Sequence, residues 1–205
     1  VAKLWDIGID PALVVRSVEE CDEACHDDIT VATSLLEARI LAGNVAQAGL
    51  PMQLLNKNWS QTKFYEAKMA EAKERYLKHN STEYNLEPDL KNAPGGLRDI
   101  HTVSWISKRY FRVTNLFGLV QQEFITEKEF DELQEAEDFL WLIRHHLHKI
   151  AKRNENRVLF DYQRLIAERI GYRDNSHPNA AVEQFMRDYY RYAMSNSTLS
   201  EMLTQ

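Results

Sequence analysis

The chain has 205 residues, of which 44% are hydrophobic and 27% charged, and its formal net charge is −6. This composition is typical of a globular protein with one large or two small domains. The acidic balance argues against non-specific nucleic-acid binding, which needs a basic face, and no apolar run approaches the roughly 20 residues of a membrane span. Charged residues (Lys3, Asp6 and Asp10) interrupt the first apolar stretch, so no secretion signal is predicted. We therefore expect a cytoplasmic protein with no membrane or nucleic-acid partner.

The first part of the chain has the pattern of a β-hairpin. Residues 3–9 and 13–17 are short apolar stretches on either side of an Asp-Pro turn, and the second is rich in β-branched residues. A later helix is predicted to have Asp27 or Asp28 as its N-cap and to end at Gly43. Because the chain has no initiator methionine and begins within a predicted strand, we expect it to be a fragment of a larger protein.

From about residue 46 onward the pattern predicts helices almost throughout. A capping box at Thr126 and Glu129 begins the longest helix, along which apolar residues recur at steps of three and four. This buried stripe comprises Phe130, Leu133, Ala136, Leu140, Ile143, Leu147 and Ile150. The other predicted helices cover residues 60–77, 96–112, 160–170 and a last stretch that begins at Pro178. On the helix over 60–77, Lys68 and Glu71 fall on the face that is predicted to be solvated.

One stretch combines turn, charge and helix signals. Residues 84–100 read Tyr-Asn-Leu-Glu-Pro-Asp-Leu-Lys-Asn-Ala-Pro-Gly-Gly-Leu-Arg-Asp-Ile, and the Pro-Gly-Gly turn leads directly into an amphipathic helix. A helix that begins in this way leaves free N–H groups and a partial positive charge, which can hold a phosphate. Lys91 and Arg98 flank the turn. A loop whose charges only cap and pair locally is the other interpretation, and spacing alone leaves both open, because a glycine pair is a weak motif.

Two smaller groups of residues could bind a metal but have simpler interpretations. Cys21 and Cys25 lie four residues apart with His26 beside them, yet this spacing fits no common zinc pattern and favours free thiols. His145 and His148 share a helix face and could contact metal or phosphate. The neighbouring Lys and Arg residues oppose a metal and favour plain surface histidines.

The stretch N-L-E-P-D-L-K-x-x-P-G-G-L-R-D-I at residues 85–100 resembles the signature of the bacterial PII uridylyltransferase/uridylyl-removing enzymes. Residues 4–9 and 28–39 resemble the late part of the nucleotidyltransferase domain of that family. Residues 156–163 resemble a segment of the helical domain that follows it. The resemblance covers nearly the whole chain.

The resemblance implies a mostly α fold, in which a helical bundle is preceded by the last β-hairpin and helix of a nucleotidyltransferase α/β domain. We place the transferase part at residues 1–45 and the all-α domain at residues 46–205. One departure concerns the hairpin: after Gly8 the family usually continues with a glycine and a His-Ser, where this chain has Ala-Leu-Val at 12–14. The hairpin is therefore expected to be adjusted, and any role of that histidine is absent.

The resemblance also implies a reaction. Enzymes of this family act in nitrogen regulation: they transfer UMP from UTP to a tyrosine of the PII signal protein and remove it by hydrolysis through a separate domain, which this chain is expected to lack. Transfer by such enzymes uses two Mg²⁺ ions held by carboxylates. The family's Gly-Ser turn and Asp-x-Asp pair are absent from this sequence, so we expect two of those carboxylates to lie upstream and this chain alone to be inactive.

Asp6 is the candidate for the third carboxylate, both as catalytic residue and as metal ligand. It fits a strand-edge residue equally well, and Asp10 is its competitor.

The resemblance assigns the signature loop to the nucleotide. Lys91 and Arg98 would contact the triphosphate of UTP, for which the planar guanidinium of arginine offers bidentate geometry. The remaining marked residues of the loop would support it: Glu87, Gly95, Gly96 and Asp99.

Two alternatives stay open at this point. The glutamine synthetase adenylyltransferases carry a similar Gly-Gly-Ile-Arg-Glu-Ile motif, although the fuller Asn-Leu-Glu-Pro signature favours uridylyl transfer. The second alternative is a helical module that docks PII and has no catalytic role. Charge removal at Lys91 and Arg98 separates this docking role from nucleotide binding, because docking predicts a loss of PII affinity with nucleotide binding intact.

Overall fold

The structure is a computed structural model that describes residues 2–9, 11–78, 85–174 and 177–204. The chain forms two compact units, Val1–Ser60 and Gln61–Gln205. Within the described ranges the regular structure is helical, and the β pairing found there is an isolated antiparallel bridge between Asp89 and Arg157. No helix in these ranges is both long enough and apolar enough to cross a membrane.

The first unit is built from short helices. They are α1 (Ala2–Asp6), α2 (Val18–Asp27), α3 (Ile29–Leu36) and α4 (Leu50–Asn58), with a 3-10 turn at Val45–Gln47. The helices α2, α3 and α4 pack on one another. The indole Nε1 of Trp59 donates to the Cys25 carbonyl at 2.6 Å, and both residues are buried. Cys25 is thus part of the core of this unit.

The structure has no strand at the residues predicted to form the hairpin. Residues 3–9 lie largely in α1, and residues 13–17 have no regular structure before α2 begins. A two-stranded hairpin is at best marginally stable without further strands or a surface to pack on, and this sequence contains no other predicted strand. The large apolar side chains of the segment are exposed: Leu4, Trp5, Ile7, Ile9, Leu13, Val14 and Val15. The hairpin therefore stays a prediction.

The helix α3 begins as predicted but ends earlier. Asp28 is its N-cap, and the Oδ1 atom of Asp28 accepts from the Thr30 N–H at 2.6 Å. The helix ends at Leu36 rather than at Gly43. Ile40 and Leu41, which would extend its apolar face, are exposed, so a longer helix would gain no burial there.

The second unit contains the longer helices, and the predicted ones have bounds within two residues of those expected. They are α5 (Gln61–Lys78), α6 (Leu97–Tyr110), α7 (Phe117–Gln121), α8 (Glu127–Ala151), α9 (Phe160–Arg169) and α10 (Ala180–Leu203). The predicted capping box of α8 is present: Thr126 Oγ1 accepts from the Glu129 N–H at 3.2 Å, and Glu129 Oε2 accepts from the Thr126 N–H at 2.7 Å. The mostly α fold is confirmed.

Helix α10 carries the centre of the core, because it packs against α6, α8 and α9. The predicted stripe of α8 is buried at Leu133, Ala136, Leu140, Ile143 and Leu147. Leu90 and Val158, which lie outside the helices, are fully buried in the same cluster. The core therefore fixes the loop that contains Leu90. The compact units divide at residue 60, and the domain boundary at 45/46 stays a prediction.

Candidate functional site

The signature loop, residues 85–99, runs into the first residues of α6 and pairs with a second stretch of the chain. The Leu90 N–H donates to the Asn156 carbonyl, and the Val158 N–H donates to the Pro88 carbonyl, both at 2.9 Å. The two stretches of the helical part that carry the family resemblance therefore lie side by side.

The turn at Gly95 is locked onto α10. Gly95 has φ +74°, and a Cβ added there would lie 2.1 Å from the Ala193 carbonyl oxygen. The Nδ2 atom of Asn196 donates to the Gly95 carbonyl at 2.7 Å, and Asn196 is completely buried. Only glycine fits this position, and the chain direction at the turn is set by a helix that comes about 100 residues later in the sequence.

The expected phosphate site at the start of α6 is not formed by backbone N–H groups. The Gly95 N–H donates to Asp99 Oδ2 at 2.7 Å. The next four N–H groups, of residues 96–99, donate to the carbonyls of Ala93, Leu90, Lys91 and Gly96 at 2.9–3.0 Å. A helix end attracts anions through N–H groups that have no partner, and here each of them has one. Any anion at this loop would have to be held by side chains.

Asp99 is the central polar contact of the turn. Its side chain is 1% exposed, and its Oδ1 atom lies 2.7 Å from Arg75 Nη2, while its Oδ2 accepts the Gly95 N–H. The supporting role of Asp99 stays a prediction, and the cation beside its carboxylate is Arg75 of α5. Arg75 was not predicted as part of the site, because its partner lies 24 residues away and no local spacing connects the two.

Lys68 is buried, although it was predicted to lie on the solvated face of α5. Its side chain is 2% exposed, its Nζ lies 2.7 Å from Glu71 Oε2, and it sits 4.3 Å above the Trp105 ring. Burial lowers the pKa of Lys68, and Glu71 opposes that change. The lysine is buried because the carboxylate and the tryptophan ring together replace its water.

Lys91 and Arg98 are brought together by the loop. The Arg98 N–H donates to the Lys91 carbonyl at 2.9 Å, and both side chains are half-buried. Burial is the main cause that lowers the pKa of each, and Arg98 lowers the pKa of Lys91 further. Within the described part of the chain neither side chain forms an ion pair with a carboxylate. The nearby Glu71 carboxylate raises the pKa of Arg98 and so opposes the effect of burial. Neither cation is neutralised by an ion pair in the described ranges, so both can meet an anion from outside.

Glu87 joins the loop to the start of α9. Its Oε1 accepts from the Phe160 N–H at 3.0 Å, and its Oε2 lies 3.5 Å from Arg157 Nη2. A carboxylate at a helix N-terminus is favoured by the unpaired N–H groups there. This geometry suits the support role predicted for Glu87.

The candidate metal ligands are not gathered into a site. Asp6 lies exposed at the end of α1, and Asp10 lies outside the described residues. Across the residues that the structure describes, no group of three or more His, Cys, Asp or Glu side chains is arranged to hold a metal. The roles predicted for Asp6 stay predictions. His148 is half-buried, and burial followed by Arg144 lowers its pKa.

Comparison with known proteins decides the family. The sequence profile of the GlnD PII-uridylyltransferases matches residues 63–204, which include the signature loop and all of its contacts described above. The chain belongs to this family. Members of the PII-uridylyltransferase family are enzymes, and the resemblance predicted from residues 85–100 is confirmed.

Similar full-length proteins are bifunctional uridylyltransferase/uridylyl-removing enzymes. The protein from Psychrobacter sp. (strain PRwf-1) is 64% identical over the whole chain, and the one from Psychrobacter cryohalolentis is 62% identical. A protein of that name from Acinetobacter baumannii is 53% identical over 99% of the chain. The chain spans 22–23% of the length of these relatives. No solved structure matches the chain.

Proposed function

We propose that the chain is a segment of a bifunctional enzyme that transfers UMP from UTP to a tyrosine of the PII protein, with release of pyrophosphate, and that also removes UMP by hydrolysis elsewhere in the enzyme. Within this segment, the signature loop supplies side chains that contact the triphosphate of UTP. The family and the names of the relatives support the reaction. The observation that carries the role of the loop is the backbone bond between Lys91 and Arg98, whose half-buried side chains form no ion pair with a carboxylate among the described residues.

The loop contributes binding and orientation. Its main chain is held by Asn156 and Val158 on one side and by Asn196 on the other, so the backbone that carries the two cations does not have to be ordered when the nucleotide binds. Arg98 also lies 5.4 Å from the Trp105 ring, which leaves the edge of its guanidinium for phosphate oxygens. Partial burial strengthens these contacts, because water screens them less.

Charge removal at the loop tests this role. In a full-length enzyme that carries this segment, Lys91→Ala and Arg98→Ala are each expected to weaken UTP binding by about 10- to 100-fold, since a hydrogen bond to a charged group contributes about 1.5–3 kcal/mol. Calorimetric titration with UTP measures the effect, and titration with PII is the parallel measurement. Arg187→Ala, which removes an exposed arginine of α10, is the matched control.

The outcome also decides between transfer and docking. Intact UTP binding with reduced PII affinity in the Lys91 and Arg98 variants would contradict the proposal and favour a PII-docking module. The adenylyltransferase alternative is disfavoured by the family match, and ATP in place of UTP in the same titration checks it.

We propose Mg²⁺ as the cofactor of the whole enzyme, with Asp6 contributing one carboxylate. The described residues of this chain do not by themselves form a metal site, so most of the ligands would come from other parts of the enzyme. Asp6 is exposed at the end of α1 and is accessible to such a partner.

Asp6→Asn in the full-length enzyme is expected to reduce UTP-dependent labelling of PII by at least about 100-fold in the presence of magnesium, since a metal ligand of this kind is worth several kcal/mol. UTP binding and folding are expected to be retained. Asp27→Asn, at an exposed carboxylate of the same unit, serves as the control. Full activity of the Asp6 variant would show that the third carboxylate lies elsewhere.

The isolated chain is expected to be inactive. A chain of these 205 residues, incubated with UTP, magnesium and PII, should give no labelled PII, because the described residues contain no complete metal site. Mass spectrometry of PII after the incubation checks this, with the full-length enzyme as the positive control. Labelling by the chain alone would show that it carries the whole transferase site.

A further inference from the structure

We propose that Arg144 of α8 is a third cation of the anion site formed by Lys91 and Arg98, and that the three side chains together hold the polyphosphate end of a nucleoside triphosphate. This assignment rests on the proposed function. It extends the site from the signature loop to a helix that lies outside it in the sequence.

Hydrogen bonds connect Arg144 to the loop without interruption. The Nε atom of Arg144 donates to Asn156 Oδ1 at 2.9 Å. The carbonyl of the same Asn156 accepts the Leu90 N–H at 2.9 Å, and the next residue, Lys91, is bonded through its carbonyl to the Arg98 N–H. Asn156 therefore fixes both the guanidinium of Arg144 and the loop. This contact gives a structural role to the first residue of the stretch 156–163, which also resembles the family.

The charges of the three cations are not balanced by ion pairs within the described residues. The hydrogen-bond partners of Arg144 are the neutral amides of Asn156 and Asn154, the second at 3.3 Å. Asp89 is the acid that acts on Lys91, but its oxygens accept hydrogen bonds from the Lys91 and Asn92 N–H groups and from Asn92 Nδ2. After burial, the nearby charges of Arg98 and Arg144 lower the pKa of Lys91. Like charges gathered in a partly buried place cost free energy, which an anion would offset.

Aromatic rings hold the two guanidinium groups at the junction of α6 and α8. Arg98 lies 5.4 Å from the ring of Trp105, and Arg144 lies 5.2 Å from the ring of Trp141. The His101 ring contacts both indoles, with its centroid 5.7 Å from that of Trp105 and 6.5 Å from that of Trp141. A guanidinium stacked on an aromatic ring keeps its N–H edge available, so both arginines can bind phosphate oxygens.

The number of cations points to a polyphosphate. Three positive groups match the terminal phosphates of a nucleoside triphosphate or inorganic pyrophosphate, each of which carries several negative charges. UMP carries less negative charge, on a single phosphate, so we expect it to gain less from three cations. Pyrophosphate is therefore the probe that reports on this site without the base and the ribose.

The test compares Arg144→Lys with Arg144→Met in the full-length enzyme. Both variants remove the guanidinium bond to Asn156, and only the first keeps the charge. We expect Arg144→Met to weaken binding of pyrophosphate and of UTP by about 10- to 100-fold, Arg144→Lys to weaken both by much less, and UMP binding to change little in either variant. Calorimetric titrations at two salt concentrations measure this, with Arg187→Ala as the control.

The outcomes separate this proposal from the one on which it rests. If Lys91→Ala and Arg98→Ala lose pyrophosphate binding but Arg144→Met binds as the unmodified enzyme does, the loop keeps its role and the third cation is refuted. Equal losses in Arg144→Met and Arg144→Lys would show that Arg144 only supports the loop, which also overturns the proposal. Unchanged binding in all of these variants would refute both proposals.

Discussion

Gly95→Ala is expected to destabilise the helical unit, residues 61–205, by about 3 kcal/mol or more. The φ of +74° at this position is strained for any residue with a Cβ, which costs about 1–3 kcal/mol. The new methyl group would also lie 2.1 Å from the carbonyl oxygen of Ala193, and this atom belongs to the backbone of a buried helix that cannot turn aside. Forced overlap of this kind costs about 1–3 kcal/mol more.

Urea unfolding, followed by the fluorescence of the tryptophans, measures the loss. Gly171→Ala is the matched control, because Gly171 also has a positive φ, +106°, but an added Cβ would meet nothing within 4 Å. The control therefore contains the backbone strain without the overlap, and it should lose clearly less stability. Equal effects of the two substitutions would mean that the turn moves away from α10 at no cost.

Asp99→Asn is expected to cost about 3–5 kcal/mol, the range for breaking a buried ion pair by removing one partner. The side chain of Arg75 is only 10% exposed, and without the carboxylate its charge would stay buried and unpaired. The Nε and Nη1 atoms of Arg75 are already buried without a hydrogen-bond partner among the described residues. The guanidinium also lies 5.0 Å from the Tyr76 ring, but a neutral phenol does not balance its charge as the carboxylate does. The amide would also present an N–H group to the Gly95 N–H or lose that contact.

A double-mutant cycle with Arg75→Met isolates the pair. The double variant should lose less stability than the sum of the two single losses, because the methionine leaves no buried charge behind. Asp131→Asn, at an exposed position of α8, is the control for a change of charge alone. A loss below about 0.5 kcal/mol in Asp99→Asn, the size expected of a surface substitution, would contradict the importance of this contact.

Local signals were enough to predict the helices. The Thr126–Glu129 capping box and the regular apolar steps of α8 depend on residues three or four apart, and both appear in the structure as expected. The turn at Gly95 was predicted for the same reason. The family was predicted from the resemblance of residues 85–100, because a pattern of spacing does not identify a family.

Contacts between residues far apart in the sequence could not be predicted from these local patterns. Lys68 was assigned to a solvated face because its neighbours in α5 are charged, yet Trp105 of α6 covers it. The start of α6 was expected to offer free N–H groups, but Asp99 folds back onto Gly95 and the carbonyls of the loop accept the rest. The predicted N-terminal hairpin would need further strands or a surface to pack on, so the pattern of its two stretches alone could not decide whether it forms.

The attachment of the turn to Ala193 and Asn196 has a consequence for the order of assembly. About 100 residues separate the turn from this anchor, so the ribosome must complete most of α10 before the turn can take its final conformation. Until then the tip of the loop lacks the helix that fixes its direction. A nascent or truncated chain that ends before residue 193 would therefore have the helices α6 and α8 available but no preformed turn. We therefore expect the loop to bind an anion only after α10 has been synthesised and has packed against it.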